Sequence, residues 1–82
     1  MKVMPLTDLK PGQKAIVHMI DAGWGATRRL LDLGITPGQE IEILQGIPFH
    51  GPVRIKVRGA DVAIGRGIAM KVLVAVDEDQ VK

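Results

Sequence analysis

The sequence predicts a mainly β fold, a small five-stranded SH3-like barrel with one short α-helix between its first and second strands. Its length of 82 residues fits one small domain. Apolar and basic residues alternate strictly over Val53–Arg58, which is the pattern of a half-buried strand. The other apolar segments are short and are separated by turns that contain proline and glycine. A closed or partly open barrel removes most of the sheet edges that such strands would otherwise expose.

The chain opens with an irregular lead-in over residues 1–10, and a Pro-Gly turn follows over residues 10–13. In a type II turn, Pro11 presets φ at the second position and Gly12 supplies the positive φ that the third position requires. The first strand is expected from about Lys14 to Ile20. Because apolar residues fall on both of its faces, we expect this strand to be covered on both sides.

A short helix is predicted over residues 26–33, after a glycine-rich loop. At about eight residues it would not be stable alone, so packing against the sheet must hold it. Gly34 is expected to end the helix as a left-handed residue, with Ile35 folding back against Leu30 in a Schellman motif. The expected buried stripe has the i, i+4, i+7 spacing and consists of Ala26, Leu30 and Leu33.

A second Pro-Gly turn follows the helix at residues 36–39, where Pro37 and Gly38 take the places of Pro11 and Gly12. The next strand alternates, with Glu40 and Glu42 on one face and Ile41 and Ile43 on the other. The two segments share a turn type only. Their flanking sequences do not support an internal repeat.

The second half of the chain is expected to form a β-hairpin followed by a helical turn and a last strand. After a loop with two prolines, the alternating strand Val53–Arg58 leads into a two-residue turn predicted at Gly59-Ala60, of type II′ with glycine first. A return strand over 61–65, a single helical turn over 66–70 and an apolar strand over 72–76 complete the fold. Residues 1–82 are expected to form a single domain, with Asp77–Lys82 as a frayed acidic tail.

Composition excludes several classes of function. The chain has no cysteine, which leaves no disulfide framework and no thiolate metal site. No apolar run is long enough to span a membrane, and no signal-peptide core opens the chain, so we expect no membrane insertion and a cytoplasmic location. The net charge of +2 is mild, and it gives little support for nucleic acid or anionic lipid as the main partner.

The sequence offers no catalytic or metal site. Serine and cysteine are absent, and no pair of carboxylates is placed for acid–base work, so we expect no enzyme. The glycine-rich loop at Gly23-Trp24-Gly25 lacks the pattern of a phosphate-binding loop. His18 and His50 are the only histidines and lie in separate segments, so we expect no metal site and no cofactor.

Four segments resemble the FeoA family of small SH3-like proteins associated with bacterial ferrous iron transport. They are MPLTDLKPGQKA at Met4–Ala15, RRLLDLGITPGQEIEIL at Arg28–Leu44, VRIKVRG at Val53–Gly59 and AIGRGIAMKVLV at Ala63–Val74. The resemblance implies a cytoplasmic accessory or regulatory protein. Its partner would be a membrane ferrous iron transporter with a cytosolic GTP-binding domain, which would recruit it to the inner face of the cytoplasmic membrane.

The residues favour protein binding over other functions. Trp24 lies in the glycine-rich loop and Phe49 in a proline-bounded loop, outside the regular strands, where a protein interface would use them. We predict one partner-binding patch at Trp24, Arg28 and Arg29, and a second at Phe49 and His50. The alternative for each aromatic residue is a plug over one end of the barrel. An incompletely covered sheet edge also leaves weak self-association open.

Nucleic-acid binding is the rival hypothesis, because Arg54, Lys56 and Arg58 share one face of a predicted strand. Single-stranded recognition normally uses aromatic stacking platforms, and this chain has only Trp24 and Phe49 to supply them. A solvated exterior that deters edge pairing explains the basic face equally well. We therefore expect no nucleic-acid partner.

Overall fold

The computed structural model describes residues 1–45 and 51–77 of the chain. In that part, six strands, two helices and one 3₁₀ turn follow one another. In chain order they are β1 (Lys2–Pro5), the 3₁₀ turn (Leu6–Asp8), β2 (Lys14–Ile20), α1 (Trp24–Asp32), β3 (Glu40–Gln45), β4 (Val53–Val57), β5 (Ala60–Ile64), α2 (Arg66–Ala69) and β6 (Val72–Val76).

The six strands form one antiparallel sheet in the order β1-β6-β2-β3-β4-β5. The mainly β prediction, with one helix between the β2 and β3 segments, is confirmed. The sheet is not closed, and it has one more strand than expected. The additional strand, β1, lies within the predicted irregular lead-in and pairs Met4 with Val74. Its Pro5 makes the segment look unlike a strand, but proline is tolerated at a sheet edge.

The core of the described part of the chain is wholly aliphatic. α1 and the 3₁₀ turn contribute one buried leucine each, Leu30 and Leu6. The full cluster of buried side chains comprises Leu6, Leu9, Ala15, Val17, Leu30, Ile35, Ile41, Ile43, Val53, Ile55, Val57, Ile64, Ala69, Val72, Val74 and Val76.

The expectation that β2 is covered on both sides is wrong. Ala15 and Val17 are buried, whereas His18 and Met19 are exposed. The pairing with β6 shifts between Val17 and Met19, so His18 occupies a β-bulge. The bulge reverses the inward and outward alternation, and Ile20 packs against the core instead of pointing away from it.

The two Pro-Gly turns hold β2 and β3 together at opposite ends. Gly12 has φ +90° and Gly38 has φ +92°, and each turn is closed by a hydrogen bond from its fourth residue to its first. The Gly12 amide donates to the Ile43 carbonyl at 2.8 Å, and the Gly38 amide donates to the Val17 carbonyl at 2.8 Å. Each turn therefore extends the ladder of the strand that faces it.

α1 begins two residues earlier than expected and ends in a Schellman arrangement. The amide of Gly34 donates to the Leu31 carbonyl and the amide of Ile35 donates to the Leu30 carbonyl, both at 3.0 Å. Gly34 has φ +91°, and both Leu30 and Ile35 are buried. Leu33, expected in the buried stripe, is 43% exposed, because it is the C-cap residue at which the chain turns away from the helix.

The hairpin between β4 and β5 differs by one residue from the predicted turn. Val57 pairs with Ala60, so the two-residue loop is Arg58-Gly59 and not Gly59-Ala60. Both loop residues have positive φ, +51° for Arg58 and +81° for Gly59, which is the requirement of a type I′ turn. Glycine therefore stands second in the loop, where type I′ turns prefer it.

Gly34 combines a left-handed backbone with close packing. A Cβ atom there would lie 3.3 Å from Arg58 Cδ and 3.4 Å from Val57 Cγ1. We expect Gly34→Ala to lower the free energy of unfolding by about 1–2 kcal/mol from the backbone alone, plus a contribution from this contact. Gly38→Ala is the matched control, since Gly38 has φ +92° and no atom within 4 Å of its added Cβ. Urea denaturation of both variants measures the difference, and an equal or larger loss for Gly38→Ala would contradict a packing role for Gly34.

Candidate functional site

Trp24 is the first residue of α1 and, among residues 1–45 and 51–77, the most exposed large apolar side chain after Met1. Its exposure is 74%. The helix starts at the Gly23 N-cap, where the Thr27 amide donates to the Gly23 carbonyl at 2.9 Å. The Thr27 hydroxyl donates to the Ala22 carbonyl at 3.1 Å and holds the preceding loop against the first turn. Such exposure excludes Trp24 as a plug over the end of the sheet and leaves the indole available to a partner.

The rest of α1 also presents apolar and basic side chains to solvent. Only Leu30 is buried, while Leu31 is 37% exposed and Leu33 is 43% exposed. Arg28 and Arg29 are exposed on the same helix. The structure thus brings three predicted site residues, Trp24, Arg28 and Arg29, onto one short helix with its uncovered leucines.

A groove runs between α1 and the β5–α2 segment. We call it the α1–β5 groove, and its volume is about 180 Å³. Its lining consists of Ala26, Arg29, Leu30, Leu33, Ala63, Ile64, Gly65 and Ile68. Arg29 is the one charged side chain in that lining. The groove is therefore mainly apolar with a cationic wall, which suits an apolar side chain accompanied by a carboxylate.

Sequence reasoning missed the contribution of β5 to this groove. Ile64 of this strand is buried and lines the groove. That β5 forms an edge of the sheet depends on the pairing of strands distant in sequence, so no local pattern could have indicated it. The second predicted patch, Phe49 and His50, lies outside the described residues.

The basic residues of the rival nucleic-acid hypothesis are interleaved with carboxylates. The strand register places Lys14 opposite Glu42, Glu42 opposite Lys56, and Lys56 opposite Asp61. Side chains directly opposite one another on one sheet face have Cβ atoms about 4.5–5.5 Å apart, so the charges alternate in a row across four strands. We call this row the charge ladder.

The remaining two basic residues of that hypothesis are engaged separately. Arg54 forms an ion pair with Asp61, and its Nε donates to Asp61 Oδ1 at 3.3 Å. Arg58 lies in the hairpin turn, where its Cδ approaches Gly34. The face that carries Arg54 and Lys56 is therefore close to neutral, which is unlike the continuous positive surface that binds a phosphate backbone.

The described part of the chain contains neither a cluster of metal ligands nor a membrane-spanning helix. Within residues 1–45 and 51–77, no three histidine, cysteine, aspartate or glutamate side chains come together in a way that could hold a metal ion. His18 is exposed at the β2 bulge. Neither α1 nor any other helix in the described ranges has the length and apolarity needed to cross a bilayer.

Known proteins resemble this chain in both sequence and structure. A protein of Methanocaldococcus jannaschii, named Fe(2+) transport protein A, is 44% identical over 70 residues, which cover 85% of this chain and 83% of that protein. The crystal structure of an iron uptake regulatory protein, FeoA, has a TM-score of 0.83 at 40% identity and covers 92% of this chain and 97% of its own. The solution structure of the FeoA protein from Chlorobium tepidum has a TM-score of 0.82 at 30% identity and covers 89% of this chain and 70% of its own.

These similarities agree with the match to a whole protein family. The sequence model of the FeoA domain covers residues 4–76. This range contains all of β2 to β6 and lacks only the first two residues of β1. The solved relatives also bear out the SH3-like description of the fold. By its sequence and by its structure, this chain belongs to the FeoA domain family.

Proposed function

We propose that this chain is an accessory protein of ferrous iron uptake that acts by binding another protein. The partner is the cytosolic GTP-binding domain of a membrane ferrous iron transporter. The role in iron uptake is supported by the family and by a relative that is 44% identical and is named Fe(2+) transport protein A. In this proposal residues 1–82 act as one domain in the cytoplasm, at the inner face of the membrane.

The observation that carries the proposal is the exposed indole of Trp24 on the same short helix that forms one wall of an apolar groove. Tryptophan and arginine are the residue types that most often dominate binding energy at protein interfaces. Trp24 is 74% exposed, and Arg29 lines the groove. An apolar anchor with a modest charged rim fits a protein partner better than it fits a small charged substrate.

Binding, without turnover, is the activity that we propose. The groove holds no paired acid and base, since Arg29 is the only ionisable side chain in its lining. The chain would thus act on the transporter by occupying a surface of it, and the transporter would carry out both nucleotide hydrolysis and iron movement.

Trp24→Ala is expected to weaken binding to the purified cytosolic domain of the transporter by about tenfold or more, because the anchor side chain is lost. Lys56→Glu is the matched control, since Lys56 is an exposed residue in the charge ladder and lies outside the groove lining. Isothermal titration calorimetry measures both affinities. The free energy of unfolding of the Trp24 variant should change by less than about 0.5 kcal/mol, as is usual for a surface substitution.

The opposite pattern of affinities would contradict this surface. If Lys56→Glu abolished binding to the transporter domain while Trp24→Ala left it unchanged, the partner would be recognised by the outer face of the sheet. If neither variant bound differently from the unaltered chain, the anchor would lie elsewhere in the molecule.

Nucleic-acid binding is the second candidate, and the charge ladder argues against it. We expect no RNA to be retained from a cellular RNA pool at physiological ionic strength, because Arg54 and Lys56 face carboxylates on neighbouring strands. A filter-binding assay over a range of salt concentrations checks this. RNA retention that fell steeply with the logarithm of salt concentration, and that disappeared in Lys56→Glu, would favour the nucleic-acid hypothesis.

A further inference from the structure

We propose that the protein partner contributes an extended segment that adds to the open edge of β5 as a seventh strand. Alternate side chains of that segment enter the α1–β5 groove, and an acidic residue of the segment meets Arg29. This inference rests on the proposed function and specifies how the partner is held. Strand addition uses main-chain hydrogen bonds for affinity and side-chain pockets for specificity.

The main-chain groups of β5 that face outward can be assigned from its hairpin. In a two-residue hairpin the residues flanking the loop, here Val57 and Ala60, exchange main-chain hydrogen bonds. Every second residue after Ala60 then also points its amide and carbonyl at β4. Asp61 and Ala63 point theirs away from β4, and no main-chain partner bonds them in the described ranges.

The two edges of the sheet differ in how they resist an added strand. The β1 edge carries Lys2 and Pro5, which are two of the devices that natural proteins use to block edge pairing. β5 has neither lysine nor proline, and its pairing with β4 runs without a bulge over all five residue pairs. Its one charged residue, Asp61, is already paired with Arg54. The β5 edge is therefore the receptive one.

The groove lies where the inward side chains of an added strand would fall. Residues on a new strand opposite Val62 project to the core face of the sheet, because side chains directly opposite share a face. Leu33, Ile64 and Ile68 line the groove on that side. A cavity of about 150 Å³ is large enough to hold a benzene ring, so a groove of about 180 Å³ has room for one large apolar side chain.

Charge complementarity defines the rest of the occupant. Arg29 is the one charged residue of the groove lining, and the preceding residue of α1, Arg28, is exposed outside that lining. An extended apolar segment with an aspartate or glutamate beside its anchor would pair that carboxylate with Arg29. A basic segment would be repelled, which gives the edge a preference among partners.

The test removes the outward amide of β5 without touching its ladder with β4. Ala63→Pro deletes the edge N–H, and proline is tolerated at edge positions. Val3→Pro is the matched control on the β1 edge, where Pro5 already occupies the position two residues on and faces the same way. Affinity is measured for the purified cytosolic domain of the transporter. We expect Ala63→Pro to weaken binding by about tenfold or more and Val3→Pro to change it by less than about twofold.

Amide hydrogen exchange on the unaltered chain provides an independent readout that does not depend on how the variants fold. The amides of Asp61 and Ala63 should become protected when the transporter domain binds. Unchanged exchange at both amides, or an unchanged affinity of Ala63→Pro, would overturn strand addition. If Trp24→Ala still weakened binding in that case, the proposed function would stand without it, whereas unchanged affinities in all variants would count against both proposals. Protection of these amides on concentrating the chain alone would show that the edge pairs with a second copy, which would also overturn the proposal.

Discussion

The left-handed backbone of Gly34 is the constraint on which the arrangement of this molecule depends. It ends α1, directs Ile35 into the core beside Leu30, and brings the chain against the end of β4. A Cβ atom at Gly34 would contact both Val57 and Arg58, so the helix and the β4–β5 hairpin approach each other as closely as they do because this residue has no side chain. The α1–β5 groove lies between this same helix and residues 63–68, so the position of α1 that Gly34 helps to fix also places one wall of the groove.

Local signals made much of the fold predictable. The Pro-Gly turns, the helix stop and the alternating strand are each encoded within a few adjacent residues, and proline and glycine restrict the backbone wherever they occur. Features that depend on distant pairing were not predictable. β1 is a strand because β6 pairs with it, and the His18 bulge arises from the register between β2 and β6. The predicted hairpin turn was wrong by one residue, because glycine fits either position of a two-residue loop.

Only part of the candidate site could be predicted from the sequence, because the rest depends on pairing between strands that are distant in the chain. Trp24, Arg28 and Arg29 could be chosen because they cluster in the chain, but the opposite wall of the groove comes from residues 63–68. The sequence alone gives β4 a row of basic residues on one face, and only the strand register shows that Glu42 and Asp61 alternate with Lys56. The carboxylates neutralise the positive charge of β4. The exposed side chains of α1 are therefore the better candidate for a partner-binding surface.

The central claim is that this chain works through α1 and the β5 edge, leaving the outer face of the sheet free. An NMR titration of the isotopically labelled chain with the unlabelled cytosolic domain of the transporter tests it most directly, because the single indole N–H of Trp24 gives a resolved signal. The largest changes should appear at that indole, along α1 and at Ala63, with little change at Glu42 and Lys56. Changes concentrated on Lys14, Glu42 and Lys56, with the Trp24 indole unmoved, would contradict the claim.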